Sequence, residues 1–232
     1  MDQLVTAPFR PRRPGRRAAR RRLTALAAVG LSLALAGCSG SGDAAPARAA
    51  TDATAAAAPA LHGPLCDALP SGTDPGNPAS LTQEPPEAAL QWIPVLTMFE
   101  AAVRAAGLES ELHRASGVTI LAPSDDAFEL QFSEDNLDEL FITDKDKLRG
   151  LLREHLVAGS LSMSDLVAAG EVTTLAGTKI PVTEAGGGTS ARVARKADTV
   201  CADYQAAGAR IHIINRVLGN LPVTAGEGHK SH

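Results

Sequence analysis

Aromatic side chains are nearly missing from this chain, which holds five Phe, one Trp (Trp92) and one Tyr (Tyr204) in 232 residues. Stacking surfaces for bases or sugars need several rings on one face, so this scarcity argues against both. Basic clusters are confined to one end, where eight arginines fall between Arg10 and Arg22. Without residues 1–37 there remain 14 basic and 25 acidic side chains, a formal charge of −11. So acidic a body excludes a nucleic acid partner, because phosphate binding needs clustered Lys and Arg. The apolar run at residues 23–36 is fourteen residues long, too short to cross a bilayer comfortably. Cysteine is limited to three, and two thiolates without a nearby histidine cluster make a poor zinc site. Gly186, Gly187 and Gly188 are not followed by a Lys-Ser/Thr pair or a helix start, so a phosphate loop is not read there. A Gly-x-Ser-x-Gly elbow is lacking as well.

What is present begins with the ends. A basic head followed by a short apolar run has the form of a signal peptide, here residues 1–37. Leu35, Ala36, Gly37 and Cys38 resemble the bacterial lipobox, whose cysteine is lipidated and becomes the mature N-terminus. The doubled arginines leave twin-arginine and general export both open. Residues 38–62 are rich in Ala, Gly, Ser, Asp, Thr and Pro without apolar periodicity, a composition that cannot offset its ordering entropy and reads as a disordered tether. Whether Thr51 or Thr54 carries a glycan stays open. High Ala and Arg usage suits a high-GC actinobacterium. In an exported chain the remaining Cys66 and Cys201 favour a disulfide over a free thiol or a metal site.

Residues 63–93 carry Cys66 among Pro70, Pro75, Gly76, Pro78, Pro85 and Pro86 and read as an irregular surface extension held by that disulfide. From Pro94 the periodicity is helical: Val95, Met98, Phe99, Ala102, Val103 and Ala106 share a face, Glu100 and Arg104 form an exposed i,i+4 pair, and Gly107 suits a left-handed cap. Ser133 is expected to cap a helix to Phe141, and Thr143 a further one in which Leu148, Leu151, Leu152, His155 and Leu156 face inward. Ser162 starts a short helix ended by Gly170. Beyond it the period falls to two, giving strands within residues 171–175, 178–184, 191–195, 199–202 and 210–218. Residues 223–232 read as a flexible tail.

One stretch organises the rest. In residues 118–128 an apolar β-prone run ends at Pro123, Ser124 offers a cap, and Asp125 and Asp126 put negative charge at a helix start. Some ninety residues later, residues 210–218 read as a second strand covered on both faces, a natural sheet partner. The first stretch resembles the first signature of fasciclin domains, a strand ending Ala-Pro before a polar pair and an Ala-Phe helix start. Residues 211–218 are similar to the second signature, with Asn215 where the family usually has Asp. The resemblance covers residues 97–222, within a domain read at residues 94–222. It implies a single α+β fasciclin-like domain, a helical first half packed on a compact β-sheet or wedge, in an adhesion and binding family without catalysis. Secreted actinobacterial members look similar in tying an early cysteine to a late one.

Among single residues, His155 stands where many fasciclin domains have a Tyr-His pair implicated in integrin recognition, but Glu154 precedes it and breaks the pair. Its leucine neighbours imply a buried imidazole bonded to backbone or to Ser124. Ser124 or Ser164 with His155 or His212 would make a catalytic triad on paper only; Ser124 is better explained as a cap. Asp125, Asp126, Glu129, Glu134 and Asp135 form an acidic surface that reads first as a solvated face and second as a selector of a divalent cation or a basic partner, while calcium-loop spacing is missing. His229 and His232 at the tail read as incidental. The expectation is an extracytoplasmic monomer, lipid-anchored with secretion left open beside the anchor, that binds an extracellular or cell-envelope protein, with no cofactor, no metal and no catalysis. A small-molecule-binding or sensing lipoprotein is the rival.

Overall fold

The computed structural model describes residues 60–114 and 116–226. The expected signal peptide, the Cys38 anchor, most of the tether and the tail histidines lie outside the described residues. Among the described residues a 3-10 turn (Cys66–Ala68) precedes two short helices, α1 (Pro78–Leu81) and α2 (Pro86–Gln91). Next come α3 (Thr97–Ala106), α4 (Glu109–Leu112) and strand β1 (Val118–Pro123). Then follow α5 (Asp125–Glu129), α6 (Glu134–Asp138), a π-helical turn (Glu139–Thr143) and α7 (Lys145–Arg153). The remaining elements are β2 (Leu156–Ala158), α8 (Met163–Ala169), β3 (Glu171–Thr173), β4 (Lys179–Ala185), β5 (Ser190–Val193), β6 (Ala197–Ala206) and β7 (Ala209–Ile214).

The strands form one sheet in the order β2-β1-β7-β6-β5-β4-β3. Strands β1 and β7 are parallel, with Val118 opposite Ala209 and Pro123 opposite Ile214; every other neighbouring pair is antiparallel. The sheet curls until its two edges approach: Val157 bridges Thr174, and Leu175 N–H donates to Leu156 O at 2.7 Å. That near-closure shelters edges that would otherwise expose unpaired backbone.

Two cores share the sheet. Ile120, Ile211 and Ile213 face the helices, where Leu90, Leu96, Phe99, Val103, Phe128, Leu148 and Leu152 are buried. The alternate residues Leu121 and Ile214 face the second core with Val157, Leu166, Val182 and Val193. Burial on both faces is why the two signature strands read as nearly continuous apolar runs. Each fully buried large side chain contributes about 1.5–3 kcal/mol.

Several expectations need correction. The segment at residues 63–93 is no appendage, since Leu69, Leu81, Ala89, Leu90 and Ile93 belong to the helical core. Pro78 and Pro86 start helices there rather than interrupt them, because a first-turn proline lacks only an amide that has no helical partner. Asp144, not Thr143, caps α7, its carboxylate accepting from Lys147 N–H at 3.1 Å. Helix α6 is shorter than read, and the chain from Glu139 is π-helical. Leu156 lies in β2 instead of a helix, and β7 stops at Ile214.

Candidate functional site

The two signature motifs meet at the top of β1 and β7. Ser124 caps α5 by accepting from Ala127 N–H at 3.3 Å, and its own amide donates to Ile214 O at 3.0 Å. Asn215 sits beside this junction, Oδ1 accepting from Asp198 N–H at 2.8 Å and its amide donating to Asp198 O at 3.1 Å. An open hollow of about 330 Å³ lies here, lined by Leu65, Ser124, Asp126, Leu130, Asn215 and Arg216. The disulfide Cys66–Cys201, spanning 135 residues, brings the early segment alongside it.

His155 is fully buried. Its Nδ1–H donates to Leu151 O at 2.9 Å and its Nε2 accepts from Leu218 N–H at 2.8 Å, which fixes the neutral tautomer. Burial lowers its pKa from 6.5 to about 4, so it is uncharged at neutral pH. His212 is held the same way, with Nε2–H donating to Leu161 O at 3.0 Å and Nδ1 accepting from Asp203 N–H at 3.3 Å; burial pushes its pKa down as well. Both rings are buttresses. Among the described residues neither hydrogen-bonds a serine hydroxyl, so the paper triads of Ser124 or Ser164 have no geometric counterpart. Tyr204 is buried in the helical core, and burial pushes its hydroxyl up to about 12.

The acidic surface read from the sequence divides. Asp125 is not part of a free face: its carboxylate accepts from Thr97 N–H at 3.3 Å, Thr97 Oγ1–H at 2.7 Å and Met98 N–H at 2.8 Å. It caps α3, whose preceding residue Leu96 offers no side-chain cap. Asp126 lines the junction hollow instead. Glu129 and Glu134 stand on a second feature, two adjoining open hollows of about 650 and 530 Å³ that share Met98, Glu134 and Leu137. Asp135 is exposed on the same helix as Glu134.

Those two hollows form one groove between α3 and the α6–π-turn segment. Met98, Ala101, Leu137 and Phe141 line it with half-buried apolar surface, and Glu129, Glu134 and Asp138 supply carboxylates at its margins. No Lys or Arg lines it among the described residues. The helical phase of Met98 fits packing against the core, and only the distant α6 makes it a groove wall. Glu154, in place of the tyrosine of the Tyr-His pair, accepts from Thr178 Oγ1–H at 2.7 Å and Thr174 Oγ1–H at 3.2 Å. It ties the end of α7 to the turn between β3 and β4. Among the described residues no three His, Cys, Asp or Glu side chains gather as metal ligands.

Fold and site together define a small α+β domain whose buried ionisable groups serve packing and whose hollows open at the surface. The Fasciclin domain family matches residues 94–221, and the chain belongs to that family. Its domains serve adhesion and protein binding. A cyanobacterial relative, Protein sll1483 of Synechocystis, is 33% identical over 119 residues, which is 51% of this chain and 63% of that protein. The chain therefore spans less than two thirds of that relative's length. A solved FAS1 domain pair from the insect cell adhesion molecule Fasciclin I is similar at 22% identity with a TM-score of 0.39, covering 53% of this chain and 44% of the other.

Proposed function

We propose that this protein is a cell-surface lipoprotein, anchored through Cys38 on the extracytoplasmic face of the membrane, that acts as a monomeric, non-catalytic module for adhesion or protein binding. The observation that carries the reading is the contrast between interior and surface. Inside, both ring nitrogens of His155 and of His212 are held by backbone hydrogen bonds, and at the junction Ser124 Oγ caps α5, so no serine–histidine pair is assembled among the described residues. Outside, an open groove with an apolar floor and acidic margins is left uncovered by the described residues, as suits a surface that meets another protein.

The test is capture by the full chain from extracellular matrix and cell-envelope fractions, followed by identification of what is retained. A protein recovered reproducibly supports the reading; a small molecule recovered in the junction hollow would favour a sensing lipoprotein. The anchor has its own test. Blocking lipoprotein signal peptidase should leave the signal attached, and normal maturation under that block would overturn the assignment of Cys38.

A further inference from the structure

We propose that the groove between α3 and the α6–π-turn segment receives a cationic amphipathic helix of a partner protein. This rests on the reading of the chain as a binding module and names the chemistry of what it binds. Met98 and Ala101 lie one turn apart on α3, and Leu137 and Phe141 one turn apart on the facing segment. The groove thus offers two short apolar ridges at helical spacing, the complement of anchors at i, i+3 and i+7 on a docked helix.

Charge selects the sign of the visitor. Glu129, Glu134 and Asp138 are exposed at the margins and enter no ion pair among the described residues, whereas the nearby Lys147 is taken by Asp144 at 2.8 Å and Arg104 by Glu100 at 3.1 Å. Lysines or arginines beside the apolar stripe of an incoming helix would meet carboxylates that no ion pair among the described residues neutralises. An anionic lipid surface would be repelled by the same margins. The capped start of α3 stiffens one wall, since Asp125 fixes Thr97 and Met98 from below, so little ordering is left for the moment of docking.

The probe is a fluorescein-labelled peptide of about 18 residues, five helical turns, made of Leu and Lys with the leucines on one face. Its anisotropy is followed as the full chain is added. Saturable binding is expected, weakened at least roughly tenfold in the triple variant Glu129→Gln, Glu134→Gln, Asp138→Asn, and by a similar factor in Ala101→Arg, which fills the groove and adds a like charge. A peptide of the same composition with its leucines scattered should bind at least about tenfold more weakly. Equal binding of the scattered peptide, or variants that bind as well as the parent, overturns the proposal. It also falls if the probe binds only after removal of residues 227–232, which would make the chain's own tail the occupant. A concentration-dependent dimer abolished by Ala101→Arg would sink it too, by making the occupant a second copy. If envelope capture persists in the groove variants, the binding-module reading stands and only this groove assignment is lost.

Discussion

Asp125, the first residue of α5, holds the start of α3 through the amide of Met98, 27 positions earlier in the chain, at 2.8 Å. The same carboxylate takes the amide and hydroxyl of Thr97, while Asp125 N–H donates to Val95 O at 2.9 Å. One aspartate therefore satisfies two free amides of a helix it does not belong to and places its negative charge at that helix's positive end.

Replacing Asp125 with Ala should cost about 1–2 kcal/mol, the range of lost N-caps, and lower the thermal midpoint. Asp125→Asn keeps one acceptor and should lose roughly half as much. Thermal melts of both variants check this; an Asp125→Ala midpoint equal to the parent's would show that the cap contributes nothing.

His155 predicts a pH dependence. With a pKa of about 4 folded against 6.5 unfolded, the unfolded chain binds more protons between those values. Stability from this residue is complete above pH 6.5 and is lost as pH falls toward about 4, a loss on the order of 3 kcal/mol. His212, also pushed down by burial, adds in the same direction. Urea titrations between pH 7 and 4 should give a shallower decline for His155→Leu than for the parent. At pH 7 that variant should already be about 2–4 kcal/mol less stable, because Leu151 O and Leu218 N–H lose their partner.

How much was legible follows from how local each signal is. The caps at Ser124, Ser133 and Ser162 each act three residues ahead in the chain, so the sequence window that shows the residue also shows its partner. The pairing of β1 with β7 was readable from two long apolar runs. The role of Asp125 was not, because its partners lie 27 and 28 positions away and an aspartate at a helix start already has a local explanation. Residues 63–93 were misread because prolines mark both loops and first helical turns, and only the burial of Leu81 and Leu90 decides between them. Strand β7 was read too long because Val217 and Leu218 are apolar; they are buried from a loop, where Leu218 N–H reaches His155. The groove needs α3 and α6 at once, so no single stretch displays it.

The disulfide between Cys66 and Cys201 should be worth up to about 5 kcal/mol by loop entropy, since it closes 135 residues. Nearby, His62 exchanges hydrogen bonds with Ala202 at 3.3 and 2.7 Å, and Leu65 N–H donates to Val200 O at 2.8 Å. Gly63 between them has φ +132°, and a Cβ there would run into the Val200 carbonyl. Gly63→Ala should therefore loosen residues 60–69 even with the disulfide intact, whereas Cys66→Ser with Cys201→Ser should lower global stability. Hydrogen exchange separates the two: faster exchange confined to residues 60–69 and their partner Ala202 in the first variant, and throughout the sheet in the second.

The resemblance to the second fasciclin signature puts aspartate at the position of Asn215, and the geometry states what the position asks for. Of its side chain only Oδ1 is used, accepting from Asp198 N–H at 2.8 Å; the side-chain Nδ2 forms no hydrogen bond to the described residues. A carboxylate presents the same oxygen, and Arg216 next to it supplies a cation at the rim of the junction hollow. Against that, Asp198 is adjacent and carries charge, although Arg192 holds it through two bonds of 2.8 Å. Asn215→Asp should thus change stability by less than about 0.5 kcal/mol, and Asn215→Leu, which leaves the Asp198 amide without an acceptor, should cost about 1–3 kcal/mol. Urea midpoints of the two variants measured side by side decide the point: if Asp is as damaging as Leu, repulsion from Asp198 outweighs the shared oxygen, and this chain holds asparagine there because aspartate is not tolerated.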